Sequence, residues 1–143
     1  MSNPGMVAPF AATTLLGFDP GSKQIGIAVG QTLTNTASPL GVVSVRGNVP
    51  DWESIDRVVG TWEPDALVVG IPLNMDGTEQ EMTQVARRFR DQLLHRYHLP
   101  VHVADERLST REARNRLADE GRLDAEDDPV AAQIILETWL HGV

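Results

Sequence analysis

The chain has 143 residues, the usual size of one domain, and its 41% hydrophobic content is enough for one core. The absence of cysteine excludes a disulfide framework and a zinc–thiolate site, and no apolar run approaches the ~20 residues of a membrane span. A formal net charge of −8 argues against charge-driven binding of nucleic acid in general, yet nine of the twelve Lys and Arg are arginines between Arg87 and Arg122.

Residues 1–12 lack the basic start of a signal peptide and read as a loose tail, leaving 13–143 as a single domain. Three short apolar runs, Thr14–Phe18, Ile25–Gly30 and Leu40–Val45, are separated by glycines and Asn35 and predict an antiparallel meander. Asp51 caps a helix whose apolar positions Trp52, Ile55, Val58, Val59 and Trp62 recur at helical period, and Pro64 ends it. Ala66–Ile71 is continuously apolar, as in a strand buried on both faces. After a loop over 72–77, Thr78 and Glu81 predict a capping box, and Met82, Val85, Ala86, Phe89, Leu93 and Tyr97 form the stripe of a second helix.

Pro100 precedes a fifth strand, Val101–Ala104. Ser109 and Glu112 offer another capping box, and Gly121 stops that helix. Asp128 as cap and Pro129 at the first helical position open a last helix that runs to about His141. The pattern is α/β: a five-stranded mixed sheet, three antiparallel strands and then parallel ones, with helices on both faces. Strand–helix–strand connections make the first, fourth and fifth strands parallel, and such sheets carry their sites at the strands' carboxyl ends.

Asp19 ends the first strand, Asp105-Glu106 ends the fifth, and Asp127-Asp128 starts the last helix. Three carboxylates converging there suit two-metal phosphoryl chemistry, which needs two cations about 4 Å apart. Each also has a structural reading: Asp19 as a turn cap, Glu106 as a surface partner of Arg107 or Arg111, Asp128 as an N-cap. Alternation along the strand points Asp105 and Glu106 to opposite faces. Gly21 and Ser22 let a phosphate approach the backbone. Arg107, Arg111 and Arg114 are spaced to share one helix face. His95, His98, His102 and His141 show no metal-ligand spacing, and Trp52, Trp62 and Trp139 fall on apolar stripes, which makes them core rather than base-stacking platforms.

Four blocks carry a resemblance: 17–23 with 25–29; 69–78; 105–110; and Asp128 with Ala131-Ala132 and 134–137. In this order and over nearly the whole chain they resemble the YqgF family, the RuvX-type proteins named as Holliday-junction resolvases and pre-16S ribosomal RNA nucleases. The resemblance implies a ribonuclease-H-like fold and an acidic triad at Asp19, Glu106 and Asp128, which would hold Mg²⁺ or Mn²⁺. It further implies phosphate contacts from Ser22, Lys23, Asn74, Arg107, Arg111 and Arg114. The implied partner is RNA, a ribosomal precursor, or branched DNA, met in the cytoplasm by a monomer or weak homodimer. The acidic stretch 123–127 departs from the basic residues that family members often carry there. A sugar-kinase or actin-like ATPase needs two copies of this fold, more than 143 residues supply. A non-catalytic nucleic-acid-binding factor is the remaining alternative.

Overall fold

The computed structural model describes residues 13–74, 76–105 and 128–142. The elements are β1 (Thr14–Pro20), β2 (Gln24–Gln31), β3 (Thr36–Arg46), β4 (Val49–Pro50), α1 (Trp52–Trp62), β5 (Ala66–Ile71), α2 (Glu81–Tyr97), β6 (Val101–Asp105) and α3 (Asp128–His141). One sheet has the order β4-β3-β2-β1-β5-β6. β1, β2 and β3 pair antiparallel, while β5 pairs parallel with both β1 and β6.

The sheet has six strands, not the expected five. Gly47 (φ 57°) and Asn48 (φ 65°) both adopt the left-handed backbone that closes a tight hairpin, so Val49–Pro50 folds back onto Val45 and Arg46. A two-residue strand ending in proline carries no alternation, so the sequence pattern does not reveal it. The first capping box also moves. Gln80, not Thr78, caps α2, with Thr83 as its reciprocal partner. Thr78 instead bonds within the preceding loop, its N–H and hydroxyl both meeting Asp76 Oδ1 (3.0 and 2.6 Å). The expected helix after Ser109 lies outside the described residues.

Alternation divides the core into two layers. Leu16, Phe18, Ile25, Ile27, Leu67 and Val69 face α1 and α2, where Ile55, Phe89 and Leu93 are buried. Phe89 meets Phe18 edge-on at 5.5 Å and stacks on Trp52 at 5.7 Å. Leu15, Ala28, Ala37, Val68 and Ala104 face α3 through Ala132, Ile135, Leu136 and Leu140. Trp52 and Trp139 join these layers, whereas Trp62, read as core, is 39% exposed at the last turn of α1. A lattice of exposed polar groups joins α1 to α2: Asp56 accepts from Arg96 Nε (2.8 Å), Arg96 Nη2 (2.7 Å) and the Tyr97 hydroxyl (2.5 Å).

α3 lies close against the sheet because β1 and β2 present glycines to it. A Cβ on Gly17 would stand 2.9 Å from Leu136 Cβ and 3.4 Å from the Ala132 carbonyl oxygen. Further along, α3 clasps the β3 backbone. Gln133 Nε2 donates to Ala37 O (3.0 Å), and Ala37 N–H donates to Glu137 Oε2 (3.3 Å). These contacts fix the helix direction: its first turn points toward the carboxyl end of β1 and its last toward the amino end.

Candidate active site

Asp19 is the only buried ionisable side chain among the described residues, at 8% exposure. It sits one residue before the end of β1 and shares the α3 face with Leu15 and Gly17. Its neighbour on β2 is Gly26, and the next across is Val42 on β3. On the other side the β1–β5 register runs to Phe18↔Val69, so one further step sets Gly70 beside Asp19, and Gly70 pairs with Ala104. The carboxylate is therefore flanked on both sides by residues without side chains. The row Val42, Gly26, Asp19, Gly70, Ala104 is a shallow floor with one acid at its centre. Sequence reading singled out Asp19 but missed this row, because it appears only once the register is known.

The turn after β1 is tightly constrained. A Cβ on Gly21 would come within 2.6 Å of the Gln24 carbonyl oxygen, a contact that backbone cannot yield to. Ser22 and Lys23 are exposed at the tip. The Lys23 carbonyl accepts from Val45 N–H (2.9 Å), which ties the turn to β3. Neither Lys23 nor Ser22 is engaged in an ion pair among the described residues.

The loop after β5 stands at the same end of the sheet. Asn74 Nδ2 donates to Thr78 Oγ1 (3.0 Å) and to the Glu79 carbonyl (3.3 Å), and Thr83 Oγ1 donates to the Pro72 carbonyl (2.5 Å). Both donor hydrogens of Asn74 are thus used in shaping the loop. Glu79 closes it by pairing with Arg87, and hydrogen bonds from Arg87 and then Gln84 hold that carboxyl below the usual range.

β6 brings the second acid to this end. His102 stacks on Trp139 of α3 (4.7 Å) and Ala104 is buried on that face, so alternation sets exposed Asp105 on the opposite face from Asp19. Asp105 is therefore ill placed to join Asp19. Glu106, the next residue, lies outside the described residues, as do Arg107, Arg111 and Arg114. Asp128 opens α3. Gly17, two residues before Asp19 on β1, packs against α3 between Ala132 and Leu136, one to two helical turns after Asp128. Among the described residues no three acids or histidines cluster closely enough to hold a metal.

His141 bonds the Asn35 carbonyl through Nε2 (2.9 Å), and His95 and His98 lie 6.5 Å apart, so the histidines are spread over separate surfaces. No helix among the described residues is long and apolar enough to cross a membrane.

Comparison with known proteins agrees with this layout. The fold resembles that of Thermus thermophilus RuvC bound to a Holliday-junction substrate (TM-score 0.54, 18% identity, 91% of this chain and 94% of that one). It also resembles the fowlpox virus Holliday-junction resolvase (TM-score 0.50, 12% identity, 91% and 99%). At these identities the likeness concerns the fold. Two bacterial proteins provisionally named pre-16S rRNA nuclease are nearer in sequence. One, from Aeromonas salmonicida, is 48% identical over 92% of this chain and 96% of its own length. The other, from Legionella pneumophila, is 50% identical over 88% and 94%. The family model described as RuvX, Holliday junction resolvase, matches residues 13–142. The chain belongs to the RuvX family.

Proposed function

We propose that this protein is a metal-dependent endonuclease that hydrolyses a phosphodiester in structured nucleic acid, its substrate being the 5′ end of precursor 16S rRNA. The observation that carries this reading is Asp19: one buried carboxylate at the carboxyl end of a central strand, with glycine on either side. The side-chain-free flanks leave room beside this carboxylate for a cation and a phosphate. Carboxylate oxygens suit Mg²⁺ or Mn²⁺, so the residues fit such a group. Asp19, Glu106 and Asp128 would hold it. When bound, the metal supplies Lewis-acid stabilisation of phosphoryl charge and a water of lowered pKa.

The chain's own residues do the rest. Gly21 allows the tight turn over which a substrate phosphate would pass, since a Cβ there would meet the Gln24 carbonyl oxygen at 2.6 Å. Ser22 and Lys23 meet that phosphate at the tip, and Arg107, Arg111 and Arg114 supply further contacts that set register without reading sequence. Asn74 shapes the rim rather than reaching for substrate, because its amide hydrogens are already used within the loop. The buried setting of Asp19 strengthens every electrostatic interaction made there.

The relatives' names support RNA as substrate, and the RuvX description supports a four-way DNA junction as a second reading. On this reading the protein would act in the cytoplasm, as a monomer or weak homodimer. Incubating the protein with precursor 16S rRNA and a four-way junction side by side, with Mg²⁺ or Mn²⁺, separates the two. Asp19→Asn, nearly isosteric, should abolish cleavage and leave the fold intact. If neither substrate is cut, or Asp19→Asn keeps full activity, the protein is instead a non-catalytic binding factor.

A further inference from the structure

On the opposite sheet face from Asp19, beneath the β1–β2 turn, lies a cavity of about 270 Å³. The turn residues Gly21 and Ser22 form one wall, and Asn48 and Pro50 of the β3–β4 hairpin form the second. Met82, Arg88 and Phe89 of α2 form the third. The walls are largely apolar, whereas the mouth carries Ser22, Asn48, Glu81, Arg88 and Gln92. This volume equals about nine waters and falls just below the range of drug-sized ligand pockets, so it suits a single heterocycle.

The distribution of charge identifies what enters. Of the seven described Lys and Arg, Arg57, Arg87, Arg90 and Arg96 are spent in ion pairs. Lys23, Arg46 and Arg88 make none among the described residues, and all three stand at this corner. Arg88 lines the cavity. Lys23 follows its Ser22 wall and accepts the N–H of the lining residue Val45. Arg46 comes next in the chain, on the sheet's other face. Two of them, Lys23 and Arg88, border the cavity, against the single lining carboxylate Glu81. In a protein of net charge −8, two cations outside the described ion pairs at the rim of an apolar hole suit an anionic ligand with a flat apolar part. A nucleotide is such a ligand.

We infer that this cavity is a subsite for one unpaired nucleotide of the substrate strand, its base inserted between α2 and the β3–β4 hairpin and its phosphate at Lys23 and Arg88. The inference rests on the nuclease reading above and sharpens it. Asp19 and Pro20 are adjacent, about 3.8 Å apart at Cα, and Pro20 lines the cavity. A strand whose phosphate lies at Asp19 can therefore round the Gly21–Ser22 turn and place a neighbouring base in the cavity only if that base is unpaired. The protein then selects the boundary between duplex and single strand. The hairpin that the sequence pattern hides is a wall of this subsite.

The test is equilibrium binding, with metal withheld so that no cleavage occurs. The probe is a labelled stem–single-strand RNA in which one abasic site is walked through the unpaired segment. Wild-type protein should lose on the order of tenfold in affinity at one position next to the stem and little elsewhere, the scale of one lost stacked base. Met82→Trp, which fills the cavity, should weaken binding of intact RNA by the same factor and show no further loss with the abasic site there. If Met82→Trp does not fold, Gln92→Ala at an exposed position serves in the same cycle. Arg88→Gln should lower the salt dependence by about one phosphate contact. Equal losses at every position, or an unchanged abasic profile in the filled variant, overturns the subsite. If Asp19-dependent cleavage persists alongside such a result, only the subsite falls. If one abasic position stands out but nothing is cleaved, the subsite stands and the nuclease reading falls.

Discussion

Replacing Gly17 with alanine tests the contact that sets α3, and with it Asp128, against β1. The added Cβ would stand 2.9 Å from Leu136 Cβ and 3.4 Å from the Ala132 carbonyl oxygen. Neither atom belongs to a flexible end; both move only with the helix. Such overpacking costs about 1–3 kcal/mol, and the reduced freedom of the unfolded chain returns about 0.4–1. A net loss of about 1–2 kcal/mol follows, or roughly 3–8 °C in Tm at this chain length. Gly30→Ala supplies the control. Its Cβ would meet Leu136 Cδ2 at 2.9 Å and Thr36 O at 3.0 Å, so much of the conflict is with a side-chain tip. In a double-mutant cycle Leu136→Ala, which keeps Cβ, should relieve part of the Gly30→Ala cost and little of the Gly17→Ala cost. Denaturant unfolding measures all six proteins, wild type included. The reasoning is refuted if Gly17→Ala is as stable as wild type, or if Leu136→Ala rescues it as well as it rescues Gly30→Ala.

Asn is nearly isosteric with Asp at the first residue of α3, so Asp128→Asn should keep nearly the metal-free melt of wild type but lose most of the rise in Tm caused by Mg²⁺ or Mn²⁺. At 100 times Kd that rise corresponds to about 2.7 kcal/mol, and a full wild-type rise in the variant removes Asp128 from the metal site. Hydrogen bonds from Arg96 and then Tyr97 pull the Asp56 carboxyl down to about 2. A depressed carboxyl stabilises the fold above its unfolded value near 3.8, and the gain is lost as pH falls toward 2. Asp56→Asn should thus cost under about 1 kcal/mol at pH 7, since the side chain is 44% exposed, and the difference should vanish near pH 2 in urea titrations. A gap between the two proteins that is constant from pH 7 to pH 2 would contradict that origin.

The parts legible in the sequence are those with a strong period. Ala66–Ile71 is apolar at every position because both its faces are covered, and the strand has those bounds. The α2 stripe from Met82 to Leu93 packs as its spacing requires. Asp19 stood out as an acid within an apolar strand, and it is buried. What escaped depends on tertiary partners. β4 exists because a left-handed Gly47-Asn48 turn returns two residues to β3. Thr78-x-x-Glu81 matches a capping box, but Thr78 bonds more closely to Asp76 within its own loop, and the helix starts at Glu81 behind Gln80. The glycines beside Asp19 lie 7 and 51 residues away in the chain, and no local pattern relates them to it.

The same register resolves how an acidic protein can serve a polyanion. On the proposed reading the acid that matters, Asp19, is on the α3 face, walled off by the sheet from the cavity and from Arg88 on the α2 side. Two divalent cations on that face would take the net charge from −8 to −4, since −8 + 4 = −4. They would leave the opposite corner's cations untouched. If both proposals hold, affinity for nucleic acid has two separable parts: a metal-dependent part at Asp19 and a salt-dependent part at the Lys23–Arg88 corner, joined by the Gly21–Ser22 turn. A strand must engage both at once to be held over the carboxylate. In an acidic protein of this size that requirement is itself a selection, because a duplex lying on one face alone meets either bare carboxylates or a single basic corner.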